Sequence, residues 1–174
     1  MKKIALILSL FLLASCAQKT VQKTVENNAT YNPSYELEYT VPDGWSSGGS
    51  LNKYSRLITI SNKTPSKSGR YLKMEIYYGK VDIGAKPVTC TNLLNKEEFR
   101  ENYSKILECN EVEINGIKYT KAKIFSTVEG DNFSLHLYAL LDDGTTLAAY
   151  SYSDNEKDFP VFEEIAQSFR WRLK

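Results

Sequence analysis

Few side chains in this 174-residue chain could do chemistry. It has one histidine and three cysteines. His136 is therefore the only imidazole available as a base to a nucleophilic Cys90. The adjacent carboxylates Glu97/Glu98, Asp142/Asp143 and Glu163/Glu164 fall on expected helix surfaces or in a turn. Water would solvate them there, which is not the setting of a paired acid and base. The sequence contains no HExxH, CxxC or P-loop pattern. No His/Cys set has the clustering that zinc requires. The expectation is a non-enzymatic protein with no cofactor and no metal.

The cysteines divide into one and two. Cys16 closes a run that begins with Met1, Lys2 and Lys3 and continues as an apolar stretch from Ile4 to Leu13. That run is about half the ~20 residues needed to cross a bilayer, so it reads as a targeting signal. Leu13-Ala14-Ser15-Cys16 resembles the lipobox of bacterial lipoproteins. The resemblance implies a signal peptide over 1–15, diacylglycerol on the Cys16 sulfur, cleavage before Cys16 and acylation, palmitate included, of the new amino terminus. Several acyl chains on one residue would hold the protein firmly at a membrane. Ala17 follows, where Asp would imply retention at the inner membrane. The expected place is thus the cell envelope, in the outer membrane if the cell is Gram-negative, facing the periplasm or the surface. Cys90 and Cys109 remain as an even pair in an exported chain. They form either a disulfide or two buried thiols. A helix filling the interval between them would separate their Cα atoms beyond the ~7 Å limit for a bridge.

Charge excludes one partner class. The chain has 22 Lys+Arg and 21 Asp+Glu, and loss of Lys2 and Lys3 with the signal leaves 20 against 21. A net charge near −1 gives no electrostatic case for nucleic acid.

Residues 16–34, after the signal, are polar and repeat Gln-Lys-Thr-Val in tandem. They read as a lipidated cysteine and a flexible tether with a mean span of about 25 Å. One domain is expected over 35–174, long enough to bury a core. YELEYTV, YSRLITIS and YLKMEIYY predict strands, with PDGW and NKTPSKSG as breaks and VDIGAKPVTCTNLL as irregular chain. Asn95 with Glu98 has the spacing of a capping box, and Phe99, Tyr103, Ile106 and Leu107 fall on one helical stripe. Asn115-Gly116 predicts a hairpin between EVEI and IKYTKAKIFSTV. FSLHLYALL and TTLAAYSYS predict two more strands joined by Asp142-Asp143-Gly144. Phe162, Ile165, Ala166 and Phe169 predict a last helix, with Asp158 as cap and Pro160 in its first turn. The order is three strands, helix, four strands, helix, an α+β pattern dominated by antiparallel hairpins.

Strand registers suggest a surface. A two-residue turn at Gly130-Asp131 and a three-residue turn at Asp142–Gly144 would put Ile124, Leu135, Leu137, Ala139, Leu147 and Ala149 on one face. Lys121, Lys123, Phe125, His136, Tyr138, Tyr150 and Tyr152 would then share the other. Tyrosines with a histidine and lysines suit recognition, unless a helix covers them. A slip of one residue would turn a strand over and spoil the grouping.

YELEYTVPDGW at the front and FEEIAQSFRW at the end, with EVEINGIKYTKAKIFSTV and LDDGTTLAAYSYS between, resemble the PsbP/DcrB-like family. The resemblance covers most of Tyr35 to Leu173. It implies an antiparallel sheet of about six or seven strands flanked by two main helices. It also implies a non-catalytic binding or assembly module, since the family shares no catalytic residues. The functional expectation is a membrane-anchored bacterial envelope lipoprotein whose partner is another envelope protein. The alternative is a lipoprotein that binds a small ligand or the cell wall.

Overall fold

The computed structural model describes residues 35–51, 55–65, 71–80, 87–95, 104–127 and 132–173. Cys16, the signal and the tether lie outside these residues, as do Glu97, Glu98, Phe99, Tyr103, Gly130 and Asp131. The described elements are β1 (Tyr35–Glu38), β2 (Trp45–Leu51), β3 (Ser55–Asn62), β4 (Lys73–Lys80), α1 (Cys90–Leu94), β5 (Ser104–Ile114), β6 (Ile117–Ser126), β7 (Asn132–Leu140), β8 (Thr145–Tyr152), α2 (Phe159–Gln167) and β9 (Arg170–Leu173). A 3-10 turn, Glu156–Asp158, leads into α2.

Seven strands form one antiparallel sheet in the order β2-β3-β4-β8-β7-β6-β5, and β1 pairs with β9 in a separate ribbon. The described residues are thus mainly sheet with two short helices, one over each face, in broad agreement with the expected α+β class. One face of the sheet is the main core. Met74, Ile76, Leu135, Leu137, Leu147 and Ala149 are almost fully buried there beneath Phe159, Phe162, Ile165 and Ala166 of α2. The β1–β9 ribbon closes the same side. Leu37 joins the core, Trp171 meets the Tyr78 ring edge-on at 5.3 Å, and its indole N–H donates to the Tyr119 hydroxyl at 2.8 Å.

Two turns match their sequence signals. Asn115 and Gly116 take φ of 49° and 83°, the left-handed pair that a two-residue hairpin needs. Gly144 takes φ of 82° at the end of the Asp142–Gly144 loop. Pro160 lies in the first turn of α2. Asp158 occupies the cap position, but its carboxylate accepts from the Ser153 hydroxyl and not from the helix backbone.

Other expectations fail. Asn95 is the C-cap of α1, and the residues after it in the expected capping box and helix lie outside the described ones. Ile106 and Leu107 lie on strand β5. A bulge there leaves Leu107 without a cross-strand partner, because Ile106 pairs with Ile124 and Glu108 with Lys123. This extra residue breaks the strict alternation and lets two adjacent apolar residues imitate a helical stripe. Phe169 is fully buried but follows the end of α2. β2 and β9 are two strands more than expected, and α1 falls within the segment read as irregular.

Candidate functional site

β4, β8 and β7 lie side by side, so their outward residues line up in rows across the sheet. One row runs Thr59–Glu75–Tyr150–His136–Ala122 and the next Leu57–Tyr77–Ala148–Tyr138–Thr120. Lys73 and Tyr152 are paired beyond the first row. All these side chains point away from α2. His136, Tyr138, Tyr150 and Tyr152 thus share one face, as the β7–β8 register predicts. β6 does not follow that prediction. Lys121 is opposite Leu137, Lys123 opposite Leu135 and Phe125 opposite Phe133, so these three belong to the α2 face. Ile124 belongs to the tyrosine face, opposite Ser134. Ser126 pairs with Asn132, which leaves an odd number of residues in the connection where the expected turn had an even number. That change of parity turns the whole strand over.

The misplaced lysines have a role on their own face. Lys121 reaches Glu163 of α2 at 3.1 Å and Glu108 at 3.5 Å, while Lys123 reaches the same carboxylates at 3.1 and 3.2 Å. Burial pushes the Glu163 carboxyl up, but hydrogen bonds from the two lysines outweigh it and hold it below the ordinary value. The hydrogen bond from Lys123 leads the same lowering at Glu108. These pairs tie α2 to β5 and β6.

On the tyrosine face the rings pack edge to face. His136 lies 4.8 Å from Tyr150, Tyr138 5.9 Å from Tyr150 and Tyr77 6.1 Å from Tyr150, between centroids. His136 sits between two hydroxyls, with Ser134 Oγ 2.9 Å from Nε2 and Tyr138 OH 3.1 Å from Nδ1. Glu75 accepts from Lys73 at 2.9 Å and from the Tyr77 hydroxyl at 3.1 Å. The Lys73 ammonium also stands 4.6 Å over the Tyr152 ring. Partial burial, then the Glu75 charge, raises the Tyr77 hydroxyl pKa. The same causes in the same order push Tyr152 up to about 12. Both hydroxyls are therefore protonated donors at neutral pH. Tyr77 and Tyr152 are the most exposed members, at 38% and 39%, while His136, Tyr138 and Tyr150 are half-buried.

α1 borders this surface over β5 and β6. Leu93 is fully buried against Ala122 and Ile124, with Ile106, Cys109 and Tyr138 packed around them. Thr120 Oγ1 donates to the Val88 carbonyl at 2.7 Å. Cys90, the first residue of α1, and Cys109 on β5 are joined by a disulfide with their Cα atoms 5.8 Å apart. The chain thus returns to β5 within the interval where a long helix would have kept the two apart. The bulge at Leu107 puts Ile106 and Cys109 on the same side of β5, and both meet the α1 segment.

Lys73, Glu75 and Tyr77 on β4 are absent from the sequence-derived site. Their alternation in KMEIYY was the available signal, but only the sheet order puts β4 beside β8. A cleft of about 400 Å³ lies on the other face, between α2 and β5–β7, lined by Val112, Leu137, Ala166, Lys121, Glu163 and others. It has no aromatic lining. Among the described residues, no three His, Cys, Asp or Glu side chains converge as a metal site. No described helix is long and apolar enough to cross a membrane.

No family model and no curated protein matches the chain. The solved structures similar to it include the following two. One is the crystal structure of PA94 from Pseudomonas aeruginosa, a protein of unknown function described as a candidate regulator. It is 14% identical, with a TM-score of 0.54 over 82% of this chain and 100% of the other. The second is the solution structure of cyanobacterial PsbP (CyanoP) from Synechocystis sp. PCC 6803. It is 11% identical, with a TM-score of 0.50 over 79% of this chain and 86% of the other. The chain has a PsbP-like fold. At these identities the likeness concerns the fold alone.

Proposed function

We propose that the protein is a membrane-anchored bacterial envelope lipoprotein, held by lipid on Cys16 and acting as a non-catalytic binding or assembly module for another envelope protein. The tyrosine face carries this reading. It offers contact area with little side-chain entropy to lose, together with donors and an acceptor within a few ångströms. The surroundings of His136 favour binding over catalysis, since Ser134 and Tyr138 hold the imidazole between hydroxyls. The Cys90–Cys109 disulfide suits an oxidising compartment outside the cytosol. The Leu13–Cys16 motif supports anchoring, and the near-neutral mature chain supports a protein partner over nucleic acid.

A second reading keeps the anchor and replaces the protein partner with a cell-wall glycan or small ligand. The exposed Tyr77 and Tyr152 rings favour it, because sugars stack on aromatic faces.

Anchoring is tested by growing cells with an alkyne-tagged palmitate and following the label. The wild-type chain should carry the label and sediment with membranes, while Cys16→Ser should lose both. Equal labelling of the two chains, or none of either, would overturn the lipoprotein assignment.

A further inference from the structure

We propose that the β2 edge of the sheet pairs with the β2 edge of a second copy, in antiparallel register about a two-fold axis through Gly48. The two edges of the seven-stranded sheet differ in kind. β5 has the devices that keep an edge from pairing: Lys105, Glu108, Glu111 and Glu113 along it, and the bulge at Leu107. β2, Trp-Ser-Ser-Gly-Gly-Ser-Leu, has no charge, no proline and no bulge, and it pairs with β3 without interruption from Trp45↔Asn62 to Leu51↔Arg56. Ser46, Gly48, Gly49 and Ser50 are exposed.

The sequence of the edge is self-complementary. A two-fold axis at Gly48 sets Gly48 opposite its own copy, Ser47 opposite Gly49, Ser46 opposite Ser50 and Trp45 opposite Leu51. Small polar residues then meet small polar residues, and the two apolar residues meet each other. Any charge beside such an axis would face its own copy, and β2 has none.

The main chain fits the same axis. Asn62 N–H donates to Leu72 on the β4 side, and Lys63 N–H donates to Gly44 on the β2 side. Alternation along β3 therefore turns Thr59 toward β2, and its partner Gly48 toward β3. Ser47 and Gly49 turn their N–H and C=O groups outward. About the proposed axis each Ser47–Gly49 pair exchanges both of its hydrogen bonds, and Gly48 faces Gly48 as a non-hydrogen-bonded pair. An axis between two residues would put inward groups opposite outward ones, and an axis at Ser47 or Gly49 would keep the outward pairing but lose the Trp45–Leu51 match. The two sheets would then run on as one, and the row that starts at Gly48 and passes through Thr59, Glu75, Tyr150 and His136 would continue into its copy.

Gly48 provides the test. A Cβ added there meets no atom within 4 Å, so substitutions leave the monomer intact. In a non-hydrogen-bonded antiparallel pair the Cα atoms are ~4.5 Å apart, within reach of a disulfide. Ser46 and its copy would be four residues out of register, about 13 Å apart and out of reach. The full chain in its own membranes is oxidised mildly as Gly48→Cys, Ser46→Cys and Ser50→Cys, with the parent chain setting the background from its own cysteines. Gly48→Cys should give a reducible homodimer about tenfold above the other two, as the distance limit requires. In detergent the wild type should sediment as a dimer, Gly48→Lys and Gly48→Glu each as a monomer that still unfolds in one cooperative transition, and their mixture as a dimer. A monomeric wild type, Gly48→Cys dimers no more abundant than the controls, or a Gly48→Cys adduct to a different protein would overturn the pairing.

Discussion

At the scale of single residues, the Cys90–Cys109 bridge and Leu93 set the border of the tyrosine face. The bridge closes a span of 19 residues and attaches the start of α1 to β5. Replacing both cysteines by serine should cost about 3 kcal/mol in the loop-entropy model. The effect should not stop at stability. α1 has only five residues, too few to stand as a helix alone. Its release should expose Leu93 and loosen the wall beside Tyr138. Denaturant unfolding of the double Ser variant reads the first effect, and hydrogen exchange at residues 90–94 reads the second. A variant with unchanged stability and unchanged protection there would remove the bridge from the construction of the site. This pairing was half legible in the sequence. An even cysteine count in a chain read as exported favoured it, but its feasibility rested on where the intervening chain turned back, which no local pattern encodes.

At the scale of elements, strand existence was legible where β-branched and aromatic residues alternate, as in β3, β4, β7 and β8. β2 was not, because serine and glycine have little strand propensity and its place is fixed by pairing with β3. Gly49 shows how close that pairing is. A Cβ there would lie 2.5 Å from the Leu57 carbonyl oxygen, whereas one at Gly48 has open space. Gly49→Ala should therefore destabilise the protein by about 1–3 kcal/mol, and Gly48→Ala should be neutral or slightly stabilising. Equal melting temperatures for the two would contradict the close approach of β2 to β3. The face assignment of β6 failed on one number, the parity of the connection to β7, while the three-residue β7–β8 turn gave the other half of the site correctly. The strand that turned over carries Lys121 and Lys123 to Glu163, which predicts a pH dependence. Glu108 and Glu163 have folded pKa values below their unfolded ones. Their stabilisation is complete above the ordinary carboxylate range near 4.3 and is lost as pH falls through and below it. Glu163→Gln should be less stable than wild type at pH 7 and should lose less stability between about pH 5 and 3. Parallel acid limbs for the two proteins would mean that the cluster does not hold α2 in place.

At the scale of the whole molecule, the fold separates two jobs. One sheet face is occupied by α2 and the β1–β9 ribbon, which form the core. The other is partly occupied by α1, and across β4, β8 and β7 it presents tyrosines, His136, Lys73 and Glu75. β1 is the first described element, so the proposed tether joins the domain at the ribbon on the core side, away from the tyrosine face. An anchored copy could then present that face to a neighbour in the envelope. The PsbP-like fold does not specify the neighbour, and the sequence contains no motif that names one. The most direct measurement places a photo-crosslinking amino acid at Tyr77, at Tyr152 and, as a control on the exposed hairpin tip, at Lys118, in living cells, with Cys16 intact or changed to Ser. A discrete adduct to one envelope protein from positions 77 and 152, absent from 118 and lost with Cys16→Ser, is the predicted result. The same adducts from all three positions, or none from 77 and 152 in the anchored chain, would contradict an anchored module that binds through its tyrosine face.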